Sequence, residues 1–176
     1  MAGKAQRLAE AVPRPADASA AAAGARILII EARYYEKISA ELLAGARAEI
    51  AAVGATCECI VVPGALEIPL ALAQAIKADL IGSDQVGARF DGCVALGCVI
   101  RGDTTHYETV CHNANHWLMH LAVAHAIPLG NGILTVETEA QAMERAQGGR
   151  KGKGADAVRA CLAVIALERV FADEEA

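Results

Sequence analysis

The chain has 176 residues, 55% hydrophobic and 3% aromatic, with a formal net charge of −5. That length supports one domain with a sizeable core. The acidic balance excludes bulk nucleic-acid binding, which needs a basic face, and no run of about 18 apolar residues is available to span a membrane.

Residues 1–24 read as a flexible N-terminal extension preceding a domain over 25–176. Glu10, Pro13, Pro15 and Asp17 break any apolar segment of the kind a secretory signal requires. Arg26–Ala32, RILIIEA, is a short isoleucine-rich run and predicts a buried strand. Over 36–54, Ile38, Leu42, Leu43, Ala46, Ile50 and Val53 recur at three and four residues, a helical stripe stopped by Gly54. TCECIVV, 56–62, predicts the second strand, and 63–82 a turn and a helix with Pro69 tolerated in its first turn. After a polar connector over 83–90, DGCVALGCVI, 91–100, predicts a central third strand, followed by a helix from about Thr105 to His125. A fourth strand is expected over 127–137, a short helix over 138–147, a loop at GGRKGKG, 148–154, and a closing amphipathic helix over 155–171. Continuous apolar strands alternating with helices imply a parallel sheet covered on both faces. The expected fold is a flavodoxin-like three-layer α/β/α sandwich with a four-stranded parallel sheet and ligands at the carboxyl ends of the strands.

Several chemistries lack their motifs. The first strand is followed by EARYYEKI, with no glycine for a dinucleotide fingerprint. GGRKGKG fails the phosphate-binding P-loop pattern at both of its ends, and no G-x-S-x-G occurs. The six cysteines form no C-x-x-C pair and fit no zinc spacing, so a reducing, cytoplasmic location without disulfides is expected.

The informative stretch is IRGDTTHYETVCHNANH, 100–116. Thr105 and Glu108 match a capping box, so the segment reads as an ordinary helix start. The same start offers free N–H groups and a positive dipole to an anion, with Thr104 and Thr105 adding hydroxyls and Asp103 an opposing charge. His106 in the first turn can either cap the helix or carry a proton, since imidazole ordinarily titrates near neutrality. Arg145 and Lys153 are solvated surface charges or the cations that complete such a site across an oligomer contact. His112, His116 and His120 lie four apart on one face, a solvated or interface stripe more readily than a metal site. Tyr34 and Tyr35 follow the first strand and either pack or stack on a flat ring. Glu67 either charges a helix N-terminus or accepts polyol hydroxyls.

Taken together, EARYYEKISAELLAGA, VPGALEIPLA, VALGCVIRGDTTHYETVC, GNGILTVETEAQAMERA and KGKGADA resemble the lumazine synthase family over about residues 26–171. The resemblance implies condensation of 5-amino-6-(D-ribitylamino)uracil with 3,4-dihydroxy-2-butanone 4-phosphate to 6,7-dimethyl-8-ribityllumazine, phosphate and water, the penultimate step of riboflavin biosynthesis. A flavin-binding paralogue with little synthase activity is the alternative. The family uses no metal and no organic cofactor, acts on small molecules, and assembles as homo-oligomers built from pentamers, alone, paired or in sixty-subunit shells, with sites between neighbours. By position, Tyr34 matches the aromatic that stacks on the uracil, and Ala65, Leu66 and Glu67 the segment holding the ribityl chain. Val99 and Ile100 match main-chain contacts to the pyrimidine, Asp103, Thr104 and Thr105 the phosphate loop, and His106 the proton carrier. Arg145 matches the phosphate-binding arginine given by the adjacent subunit, and Lys153 a lysine lining the site. Asn131 stands where several relatives carry a phenylalanine over the ring.

Overall fold

In a computed structural model, which describes residues 21–82 and 87–175, the apolar run from Arg26 forms β1 (Arg26–Ala32), with Ile27, Ile29 and Ile30 fully buried. The elements then follow as α1 (Glu36–Ala52), β2 (Thr56–Val62), α2 (Glu67–Lys77), β3 (Gly92–Ile100), α3 (His106–Ala124), β4 (Leu129–Val136), α4 (Glu139–Ala146), a 3₁₀ turn (Gly149–Lys151) and α5 (Lys153–Glu175). The four strands are parallel in the order β2-β1-β3-β4. Both faces of the sheet are covered, as continuous apolar strands require. On one face α1, α4 and α5 pack through Ile38, Leu42, Ile50, Ala142, Val158, Leu162 and Ile165. On the other, α2 and α3 pack through Ile68, Leu72, Ala114 and Leu118. This is the flavodoxin-like sandwich expected. The stripe expected on α1 is buried from Ile38 to Ile50, with Val53 half-buried at its end.

Two features of this arrangement position the candidate site. The crossovers reverse direction between β1 and β3, which opens a crevice at the carboxyl ends of those strands. The register then makes a step: β3 pairs with β1 only as far as Glu31 and Leu96, but runs with β4 to Ile100 and Val136. Gly97 is level with Ala32, and the last three residues of β3 rise above the end of β1. Within them the ladder alternates. Cys93 N–H donates to Pro128 O and Arg101 N–H to Val136 O, so the odd positions face β4. Cys98 and Ile100 turn their main-chain groups to the side where β1 has already ended.

The loop expected at 148–154 is more ordered than its glycines and charges suggest. Gly148 and Gly149 adopt positive φ, at 100° and 55°, Gly149–Lys151 forms the 3₁₀ turn, and α5 begins at Lys153. The segment is clamped by charge. Glu49 of α1, 3% exposed, accepts from Arg150 Nε at 2.8 Å and Arg159 Nη1 at 2.9 Å. Of the expected N-terminal extension, residues 1–20 lie outside the described residues. Ala22 is fully buried, and Arg169 Nη1 donates to the Ala21 and Ala23 carbonyls at 2.9 and 3.1 Å. Among the described residues, no helix is long and apolar enough to cross a membrane.

Candidate active site

A cavity of about 310 Å³ occupies the β1/β3 crevice, within the size range of small-molecule sites. Four segments distant in sequence line it: Tyr34 and Tyr35 after β1, Gly64–Glu67 after β2, Cys98–Ile100 at the end of β3, and Gly102, Thr104, His106, Tyr107 and Val110 at the third crossover. Tyr34 stands at the mouth, 71% exposed, with the Tyr35 ring edge-on at 4.9 Å between centroids. Burial pushes the Tyr35 phenol up, offset in part by the Ile100 main chain. Glu67 opens α2, where its charge suits the helix dipole. Its carboxylate folds back over Gly64: a Cβ there would lie 3.1 Å from Glu67 Oε2, so the glycine leaves the carboxylate its room. Pro69 sits in the first turn of α2, where no intrahelical N–H bond is lost.

The start of α3 differs from the capping box that its sequence suggests. Thr105 occupies the N-cap position but makes no side-chain cap. Glu108 bonds Arg101 instead, and Thr104 Oγ1 accepts weakly from His106 N–H at 3.4 Å. Arg101 also bonds Glu137 through Nε at 2.7 Å and covers the Tyr107 ring, its guanidinium carbon 4.1 Å from the centroid. The Glu108 carboxyl is held below its ordinary range by the Arg101 hydrogen bond. Apart from that long Thr104 contact to His106 N–H, the first-turn donors of α3 have no cap from the Thr105 side chain and can face an anion.

Of the residues singled out in the sequence, Tyr34, Ala65, Leu66, Glu67, Val99, Ile100, Thr104 and His106 line this cavity. Asp103 and Thr105 are exposed beside it in the same loop but are not among its lining residues. Asn131, on the edge strand β4, donates from Nδ2 to Asn115 Oδ1 at 2.6 Å and accepts from Ile133 N–H at 3.0 Å. Arg145 donates from Nη1 to the Gln141 carbonyl at 3.3 Å, and Lys153 pairs with Asp156 at 2.7 Å. None of these three lines the cavity, and no lysine or arginine does. Among the described residues, the lining therefore offers an anion amide and hydroxyl donors and an imidazole but no lysine or arginine.

Cys98, Tyr107 and Val110 line the cavity without having been picked out as candidates. Val110 was legible as the helical i+4 neighbour of His106, and Tyr107 as its chain neighbour. Cys98 was not, because its place depends on β3 overshooting β1. Burial pushes its thiol up to about 11, so it is a neutral wall residue at physiological pH.

A larger, shallower hollow of about 780 Å³ runs along the outer face of α3, lined by Cys111, His112, His116, Met119, His120 and Val123 among others. The His116 and His120 rings stack at 6.3 Å. Among the described residues no group of three or more His, Cys, Asp or Glu is placed to hold a metal. The lining of this hollow comes almost wholly from one helix, whereas four separate segments converge on the crevice, which is the better ligand site on chemistry.

Comparison with known proteins gives a consistent result. The profile of the family described as 6,7-dimethyl-8-ribityllumazine synthase matches residues 24–169. A protein of that name from Azorhizobium caulinodans is 55% identical over 146 residues, covering 83% of this chain and 88% of the relative. One from Methylocella silvestris is 56% identical over 151 residues, 84% and 88% of the two chains. One from Methylobacterium radiotolerans is 51% identical over 162 residues, 92% of each.

Proposed function

Because this chain belongs to the 6,7-dimethyl-8-ribityllumazine synthase family, we propose that the β1/β3 crevice is the site where its two substrates meet. The enzyme is a transferase of riboflavin biosynthesis. It condenses 5-amino-6-(D-ribitylamino)uracil with 3,4-dihydroxy-2-butanone 4-phosphate to 6,7-dimethyl-8-ribityllumazine, releasing phosphate and water. The observation that carries the site is the convergence of Tyr34, Ala65–Glu67, Val99–Ile100, Thr104 and His106 on one cavity.

The roles follow from the chemistry of each wall. Tyr34 stacks on the flat uracil at the mouth. Beyond the last β1 partner, Ile100 has main-chain groups turned toward the crevice, and the edge of a pyrimidine takes the place that another strand would occupy. Val99 closes the apolar wall against the α2–α3 core. Glu67 accepts ribityl hydroxyls, and the chain passes close to Ala65 and Leu66. Asp103, Thr104 and Thr105 form the loop over the phosphate, with the uncapped amides of α3 as donors. Attack of the amine on the ketone, loss of phosphate and closure of the ring each move protons, and His106 is the group in the wall able to carry them. Joining two bound molecules is chiefly a matter of proximity and orientation, which a preformed crevice supplies.

The departing phosphate needs fixed positive charge. Because the lining of one chain contains no cation, Arg145 and Lys153 act on the crevice of a neighbouring subunit, and Asn131 faces the ring from the same direction. The enzyme is accordingly a homo-oligomer built from pentamers with its sites at subunit contacts. The exposed side chains of Trp117, Met119 and Val123 on α3 support a buried subunit face there. The catalytic domain comprises residues 25–176, and the six free cysteines support a reducing cytoplasm as its location.

The test is direct. Mixing the protein with both substrates should produce fluorescent lumazine with one phosphate released per turnover. A rate no higher than that of the protein-free mixture would reject the reading.

A further inference from the structure

Between Ile100 and His106 the chain forms a loop whose residues, Gly102, Asp103, Thr104 and Thr105, are all exposed. Among the described residues, the one hydrogen bond made by the side chains of Asp103, Thr104 and Thr105 is the long contact from His106 N–H to Thr104 Oγ1. A Cβ on Gly102 would meet nothing within 4 Å. Inside the loop, that one long contact is all that its side chains offer to hold His106 in place.

Both ends of the loop are held by a single residue, the start by its main chain and the finish by its side chain. Arg101 anchors the start, because its N–H donates to Val136 O at 2.9 Å and extends the β3–β4 ladder. Its guanidinium then reaches over to the finish, bonding Glu108 through Nη1 and lying 4.1 Å from the Tyr107 ring centroid. Its Nε takes Glu137 at 2.7 Å. Glu137 is tied onward, its N–H donating to Gln141 Oε1 at 3.0 Å, and Gln141 lies on α4, the helix that carries Arg145.

Resting on the function proposed above, we infer that Arg101 is a positioning residue for the condensation. It is a clip that sets the first turn of α3, and with it His106, against the end of β4 without touching substrate. Arg101 is not among the residues lining the cavity. A planar guanidinium fork suits this task, since it engages two carboxylates in fixed directions and an aromatic face at once, which an ammonium does not. The three side chains are 39, 48 and 55% exposed, and ion pairs this wet contribute little to global stability. The clip therefore acts on geometry, and misplacing a catalytic group by about 1 Å costs roughly a hundredfold in rate.

Arg101→Met should lower kcat roughly ten- to a hundredfold, with KM for both substrates and the urea midpoint of unfolding little changed. Arg101→Lys should restore only part of the rate. The pair Glu108→Gln with Glu137→Gln should reproduce the loss, and adding Arg101→Met to that pair should cost nothing more, because the three act as one unit. An unchanged kcat in Arg101→Met overturns the inference. So does a raised KM for the phosphate substrate alone, which would mean direct contact, or a further loss on top of the double variant. Should Arg101→Met fail to fold, the double glutamine variant carries the test, and wild-type kcat in it overturns the clip. If the unmodified protein makes no lumazine, the functional reading fails and takes the clip with it. If the unmodified protein is active while these variants are indifferent, the clip alone fails.

Discussion

His106 sits in the first turn of α3, in the cavity wall, where the crossover from β3 delivers it. The loop that delivers it offers exposed hydroxyls and amides, while the β3 and α3 side of the wall is apolar or neutral: Val99, Val110 and a Cys98 thiol pushed up to about 11. An imidazole so placed can both accept and donate a proton. His106→Ala should therefore reduce kcat by roughly a hundred- to ten-thousandfold, with a smaller effect on substrate binding. Steady-state kinetics decide this, and an unchanged kcat removes His106 from the chemistry.

At the scale of elements, the last helix is fitted to the rest by glycines that have no room for a side chain. A Cβ on Gly154 would lie 2.0 Å from Leu42 O, and one on Gly130 1.9 Å from Ala157 O. These are main-chain atoms in α1 and α5 that cannot rotate aside, so α1, β4 and α5 would have to part. Gly154→Ala and Gly130→Ala should each destabilise the fold by about 1–3 kcal/mol or more, read as a lower urea midpoint at unchanged m-value. Gly102→Ala is the contrasting case. It has open space and no positive φ, so stability should stay within about 0.5 kcal/mol. Equal midpoints across the three variants would show that the α1–α5 contact is not the tight crossing described.

At the scale of the whole molecule, an incomplete site and an uncovered apolar face make complementary statements. Among the described residues no lysine or arginine lines the crevice, and the outer face of α3 exposes Trp117 at 51%, Met119 at 48% and Val123 at 77%. Burying that face between copies would remove apolar surface from water. Val123→Asp removes almost nothing from the single chain, yet would place a charge in that contact. Light scattering should show a shift to smaller species, and lumazine formation should fall with it. An unaltered mass would exclude the α3 face as the contact.

Much of the fold was legible in the chain because its signals are local. A strand buried on both faces is a continuous apolar run, and a packed helix repeats every three to four residues, so β1 and α1 start where the sequence predicts; β2, an exposed edge strand, also starts where predicted. The candidate residues after each strand were legible for the same reason: in a parallel sheet the carboxyl ends converge wherever the strands themselves lie. What sequence could not decide was competition among groups far apart in the chain. Thr105 and Glu108 spell a capping box, but Glu108 goes to Arg101, which also holds Glu137, 36 positions away. Lys153 reads as a loop cation, yet it opens α5 and pairs with Asp156, beside a clamp centred on Glu49. The composition and periodicity of this protein determined its layers and the edge of the sheet that carries the chemistry. Only the tertiary structure, through a register that lets β3 outrun β1 and through long-range ion pairs that outbid local ones, decided the shape of the crevice and the stance of the histidine within it.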